Sequence, residues 1–302
     1  MSSVASSLTN TAEEPSLSFI SKDYLKAVVE IGAPYGKETK WRGSGILYGD
    51  IVGVHDPGPP LALKMVLYVV TNKHVLRGIS EEDKATQVVM RFVKKSSGKA
   101  EVHNFLLASE EGPLWCSHPS IVVDVAVLRL RLEDEYASDT DFQPITFPYF
   151  STLSQMESGG CMEGDSIFVV GFPYSVPQLR PLNKTYPIVR GGIISRIADA
   201  YAGESDTFII DATVYPGNSG GPVILKSEHS GAHLTGTKGL EKSYMIGIVS
   251  EYLDYQENAV SEQTGRTRVF FSENSGLARV ETTDNILATL NILKSKLGAA
   301  PD

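Results

Sequence analysis

Short apolar runs rich in valine and isoleucine, each cut off by glycine, proline or polar residues, recur along almost the whole chain. They leave little room for any fold but an all-β one. Six fall in the first half, at Tyr24–Ile31, Gly43–Tyr48, Met65–Asn72, Gln87–Val93, Val102–Leu107 and Asp124–Leu130. Six more follow at Ser166–Gly171, Ile188–Ile197, Thr207–Val214, Val223–Leu225, Tyr244–Tyr252 and Arg268–Ser272. Two six-stranded antiparallel β-barrels fit this count. One helical pattern stands apart near the end, where Ile286, Leu290, Leu293 and Leu297 share a face, with Asp284 as the expected N-cap and Gly298 as the stop. This helix is expected to pack on the second barrel. The division that follows is a polar tail over residues 1–18, a first barrel over 19–146 and a connector over 147–165. A second barrel then covers 166–281, and the C-terminal helix 282–298.

Composition narrows the function classes. The 302 residues carry a formal net charge of −9, opposite in sign to the footprint of a nucleic-acid binder. The one basic cluster, Arg91 to Lys99, reads as a solvated hairpin tip. No apolar run has the length of a membrane span, and Met1 to Ser18 has no signal-like apolar stretch, so a cytoplasmic address is expected. Cys116 and Cys161 are the only cysteines, too few for a disulfide framework; both read as reduced, with a bridge between them left open.

The stretch Gly217-Asn218-Ser219-Gly220-Gly221-Pro222 lies between two strand runs. Glycines flanking a serine can be no more than a hairpin, but they also permit a tight turn whose N–H groups converge on one oxygen. A seryl hydroxyl becomes a useful nucleophile only beside an oriented base. His74 closes a buried strand run, and Asp124 opens another. Each alone is an ordinary strand-end residue. Both lie in the first half and Ser219 in the second, so the three can meet only in a cleft between barrels.

Taken together, these stretches resemble a trypsin-like serine protease of the chymotrypsin fold, and within it the Deg/HtrA-type branch. The resemblance is carried by Val70-Thr71-Asn72-Lys73-His74-Val75, by Asp124-Val125-Ala126-Val127-Leu128 and by the serine motif itself. Gly43–Leu47, Glu163–Pro173, Gly192–Arg196 and Ile210–Thr213 support it in the same order. It implies an endopeptidase in which Ser219 is the nucleophile, His74 the general base and acid, and Asp124 the group orienting the imidazole. The oxyanion hole would comprise Gly217, Asn218 and Ser219, with the N–H groups of Gly217 and Ser219 as donors. Activity is then expected to fall as His74 protonates. Thr213 would sit at the base of the specificity pocket, and Ser250-Glu251-Tyr252 would pair with substrate backbone. Without an aspartate at the pocket base, no strong Arg or Lys preference is expected. Asn218 stands where digestive relatives carry aspartate, which implies no activation by N-terminal cleavage. Control would instead rest with loops such as Tyr174–Pro187 or Asp254–Arg266.

Other readings are weaker. A nucleophile elbow needs the order Ser, acid, His and a helix after the serine, whereas Pro222 and a β-branched run follow here. A silent, protease-fold peptide-binding or scaffold module is the alternative from another class. His229 and His233 have helical spacing, but Gly231 between them argues for a loop, so no metal and no cofactor is expected. A PDZ-type domain after the second barrel is not expected. The expected partners are protein or peptide substrates and a separately encoded recruiting or activating protein, without nucleic acid or membrane.

Overall fold

The computed structural model describes residues 20–55, 62–131, 138–174, 186–226 and 243–298. The expected tail at 1–18 and the pair His229 and His233 lie outside them. At the start of the described chain, Lys22–Ala27 is a short helix, α1, where the sequence reading begins a strand. Ser21 caps it by accepting the Asp23 N–H at 3.2 Å, and Tyr24 and Ala27, three residues apart, enter the core from one face. That helical spacing hides inside a run whose later part, β1 (Val28–Tyr35), is extended.

The first lobe continues through β2 (Glu38–His55), β3 (Ala62–Thr71), β4 (Gln87–Val93) and β5 (Ala100–Leu106). A small separate hairpin, β6 (Ala108–Ser109) and β7 (Gly112–Pro113), precedes β8 (Trp115–Ser117) and β9 (Ala126–Leu130). Seven of these strands form one antiparallel sheet in the order β5-β4-β1-β2-β3-β9-β8. The extra strand, β8, is three residues long and too short to show a period in sequence. The second lobe is a closed barrel, β10-β11-β12-β15-β14-β13. Its strands are β10 (Ser166–Gly171), β11 (Ile188–Arg196), β12 (Thr207–Asp211), β13 (Pro222–Leu225), β14 (Tyr244–Val260) and β15 (Thr267–Thr282). The two-barrel architecture expected from the sequence is thus present.

Each lobe has its own core. Ile31, Leu47, Val69, Leu76, Val88 and Leu128 anchor the first, and Ile167, Ile194, Phe208, Ile210 and Val280 the second. A third cluster joins them, bringing Ile46, Val70 and Val127 against Val170, Ile224 and Ile248. The helix α5 (Thr283–Lys296) seals this seam with Ile286, Leu290 and Leu293, so it packs on both lobes and not on the second alone. Lys294 ties it to Asp50 of β2 at 2.6 Å. Its N-cap is Thr282, whose Oγ1 accepts the Asn285 N–H at 3.3 Å. Asp284, the expected cap, lies in the first turn and accepts from the Leu153 amide at 2.8 Å. Leu153 opens helix α3 (Leu153–Ser158) in the connector; α2 (Lys73–Arg77) and α4 (Ala198–Tyr201) are shorter.

β14 and β15 also run well beyond the ends expected for them. Past the barrel they continue as a two-stranded arm, paired from Asp254↔Asn274 to Val260↔Thr267 and exposed on both faces. With neither face buried the sequence shows no alternation there, which is why Asp254–Arg266 reads as a loop. Among the described residues no helix is long and apolar enough to cross a membrane.

Candidate active site

The end of β3 sets the position of His74. Asn72 is fully buried, and its Nδ2 donates to the Asp124 carbonyl at 2.8 Å. The Lys73 amide reaches the same carbonyl at 3.3 Å, and Lys73 Nζ donates to the Ser120 carbonyl at 2.9 Å. The turn of helix that follows, α2, presents His74 to solvent with its backbone N–H donating to Asp124 Oδ1 at 3.0 Å. Its ring nitrogen Nδ1 lies 2.6 Å from Asp124 Oδ2. A carboxylate at Nδ1 holds the proton on that side of the ring and leaves Nε2 free to accept one.

The serine loop is built by contacts from both lobes. Ser44 of β2 donates its hydroxyl to the Gly217 carbonyl at 2.7 Å and accepts the Phe172 amide at 2.9 Å. The Ser44 amide donates to the Ser219 carbonyl at 2.8 Å. Gly217 (φ +107°) and Gly220 (φ +82°) occupy left-handed conformations, and a Cβ on either would strike backbone, at Phe172 and Ser44 respectively. The Asn218 amide donates to the Tyr215 carbonyl at 2.9 Å, and Asn218 Oδ1 accepts from the Tyr215 amide at 3.0 Å. Asn218 therefore closes its own turn, and its N–H is not available to a ligand. The amides of Gly217 and Ser219 have no acceptor among the described residues, as a pair of oxyanion donors requires.

His74, Asp124, Gly217 and Ser219 line one cleft of about 660 Å³ between the lobes. Ser250, Glu251 and Tyr252 of β14 line it too. Ser250 sits at a bulge in the β14–β15 ladder, and its hydroxyl donates to Asp124 Oδ2 at 3.0 Å. Glu251 pairs with Arg279 at 2.7 Å. Thr213 does not join them. Beyond β12 the chain alternates, burying Ala212 and Val214 and turning Thr213 outward, and Val214 and Tyr215 line the cleft.

Two contributors escape the sequence reading. Ser44 stands in a stretch that gives no sign of contact with a loop over 170 residues away. Glu281, at the end of β15, accepts the Asp124 backbone N–H at 3.0 Å and borders the cleft. Burial pushes its carboxyl up to about 7, with the neighbouring charges of Asp124 and Asp206 acting in the same direction. Among the described residues no group of three or more His, Cys, Asp or Glu side chains is arranged to hold a metal ion.

By sequence, residues 43–230 match the trypsin-like peptidase domain family. In backbone, the chain is similar to the crystal structure of the Drosophila Grass clip serine protease of the Toll pathway, at 12% identity and a TM-score of 0.52. That likeness covers 96% of this chain and 75% of the other, and it speaks for the fold. No curated protein matches the sequence. The family match spans more than half the chain and takes in His74, Asp124 and Ser219, and with it the chain belongs to the trypsin-like peptidase domain family.

Proposed function

We propose that the chain is a serine endopeptidase acting through an acyl-enzyme. The observation that carries this reading is the 2.6 Å pairing of His74 Nδ1 with Asp124 in the cleft that Ser219 also lines. Ser219 Oγ attacks the scissile carbonyl carbon while His74 Nε2 takes its proton. Asp124 keeps the other ring nitrogen protonated and balances the imidazolium. The oxyanion is met by the amides of Gly217 and Ser219, each such donor being worth roughly a hundredfold to a thousandfold in rate. As the tetrahedral adduct collapses, His74 hands its proton to the leaving amine, and the acyl group stays on Ser219. Water, deprotonated by the same histidine, then releases the acid.

Ser250-Glu251-Tyr252 supply a strand edge for substrate backbone, since on that side of β14 the pairing with β13 reaches no further than Ile248 and the serine loop takes Val249. Val214, Tyr215 and Tyr252 favour an apolar side chain over Arg or Lys beside the scissile bond. Activation by N-terminal cleavage has no role in this reading, because Asn218 is buried and a neutral amide there cannot form an ion pair with a newly cut N-terminus.

A fluorophosphonate probe tests the proposal. Covalent labelling of the wild type, absent in Ser219→Ala and weakened at least tenfold in His74→Ala, is expected. No labelling of folded wild type at any pH from 6 to about 9, a range that spans histidine titration, would favour a silent binding module.

A further inference from the structure

Glu281 is a costly residue for its place. Its carboxyl is buried, the residue being 1% exposed, and among the described residues no Lys or Arg pairs with it. Its ladder partners, Ile248 on β14 and Thr207 on β12, carry no charge. Asp124 from the first lobe and Asp206 from the turn ahead of β12 act on it with its own sign, and Arg279, two residues before it on β15, is paired with Glu251. A buried carboxylate without a cation is strongly disfavoured unless donors compensate. Two do. Oε1 accepts the Asp124 main-chain N–H at 3.0 Å, and Oε2 accepts Asn285 Nδ2 at 3.1 Å. Asn285 is itself fixed in α5, with Nδ2 also donating to the Asp206 carbonyl at 2.9 Å.

The Asp124 backbone is therefore gripped from two directions. Its carbonyl is held by Asn72 and Lys73 of the first lobe, and its amide by Glu281 of the second. Val123 and Val125 on either side of Asp124 are buried in the seam core, while Ile121 and Val122 ahead of them are exposed, so the Asp124 peptide lies where the chain passes from solvent into the core. A tilt of that peptide would swing the carboxylate away from the ring of His74.

We propose that Glu281 is a positioning residue for the Asp124–His74 pair, fixing the Asp124 peptide across the seam between the lobes. This rests on the hydrolytic reading above. The grip is strongest when Glu281 is ionised, because both its oxygens are then acceptors and the bond to the amide is charge-assisted. Protonation turns one oxygen into a donor with no acceptor opposite it, since Asp124 N and Asn285 Nδ2 both donate. With the carboxyl pushed up to about 7, the change of state falls in the neutral range. The sign is unambiguous: raising the pH ionises Glu281 and tightens the site.

The test compares wild type, Glu281→Gln and Glu281→Ala in the full chain, by hydrolysis of an activated ester across pH and by the low-field NMR resonance of the His74 Nδ1 proton. Gln keeps an oxygen for the Asp124 amide but cannot ionise. Glu281→Gln is expected to keep kcat at alkaline pH within about threefold, a loss of the size of a weakened hydrogen bond. Its acid limb should fall with the slope of one proton where the wild type approaches that of two. Glu281→Ala should lose about tenfold or more in kcat with KM within about twofold, the split expected of a group acting on chemistry and not on binding. In the wild type the His74 resonance should move in two steps with pH, and in Glu281→Gln in one. Identical acid limbs in wild type and Gln variant, or an unchanged kcat in the Ala variant, would overturn the inference. If no form hydrolyses ester, the hydrolytic reading fails, and the resonance alone decides: one step in the wild type rejects the role of Glu281, two steps reduced to one by Gln uphold it.

Discussion

Asp124 Oδ2 accepts from two sides, from the His74 ring at 2.6 Å and from the Ser250 hydroxyl at 3.0 Å. The second donor comes from the strand proposed to bind substrate. The bulge between Val249 and Glu251 turns the Ser250 side chain inward while its neighbours keep the ladder. Substrate pairing along β14 and the set of the Asp124 carboxylate are therefore mechanically joined. Ser250→Ala is expected to lower kcat/KM about tenfold, since hydrogen bonds to charged groups contribute about 1.5–3 kcal/mol. Steady-state ester hydrolysis checks this, and an unchanged kcat/KM would mean that the ring and backbone of His74 suffice to hold Asp124.

Ser44→Ala should cost both stability and activity. The hydroxyl is fully buried and serves the Phe172 amide and the Gly217 carbonyl together. Its removal leaves two buried polar groups without partners, at about 1–3 kcal/mol each. A fall in Tm of several degrees is expected by calorimetry, with a larger proportional loss in the rate of probe labelling at Ser219. Loss of Tm with labelling untouched would show that the Gly217 turn holds its shape without Ser44.

Much of this was legible in the sequence, for physical reasons that also mark where it stopped. Buried strands such as Val66–Thr71 announce themselves through β-branching, and the serine loop through glycines that its left-handed turns require. His74 and Asp124 were recognisable by their local contexts. Contacts between distant segments left no such trace. Ser44 meets Gly217, and Glu281 meets Asp124, only because the lobes dock, and neither residue type is unusual in a strand. Thr213 lies outside the cleft lining because the chain past the end of β12 alternates, burying Ala212 and Val214. The arm of β14 and β15 escaped because a ribbon wet on both faces carries no period of burial.

The pH dependence of folding should report Glu281 directly. Its folded-state carboxyl is raised to about 7 from an ordinary value of 4.5, so the folded chain holds a proton that the unfolded chain has lost. Stability from this group is complete below about 4.5 and declines as pH rises through 7, by up to a few kcal/mol. Glu281→Gln removes the decline. Denaturant titrations of the two forms should agree near pH 4.5 and diverge by pH 8, with the variant the more stable. Parallel curves would mean that Glu281 is ionised in the folded state throughout this range.

The two thiols should be inert in the folded protein. Cys116 and Cys161 are free and buried, in different core clusters. Burial raises both, that of Cys161 to about 12, so almost no thiolate is present at pH 8. Alkylation by iodoacetamide is expected to be at least a hundredfold slower in the native state than in guanidinium. Rapid native labelling of either cysteine, read by mass spectrometry, would contradict the packing around it.

The hold that Ser44 keeps on the serine loop has a consequence for the life of the polypeptide before it is finished. His74 and Asp124 lie on one lobe and Ser219 on the other, and the turn carrying Ser219 takes its shape from a side chain across the seam. A partly melted chain thus has all the reactive groups without the arrangement that joins them across the seam. On the proposed hydrolytic reading, a capacity to cut arises only once the lobes have docked. Docking of the lobes is in this sense the safety catch that the chain carries in its own architecture.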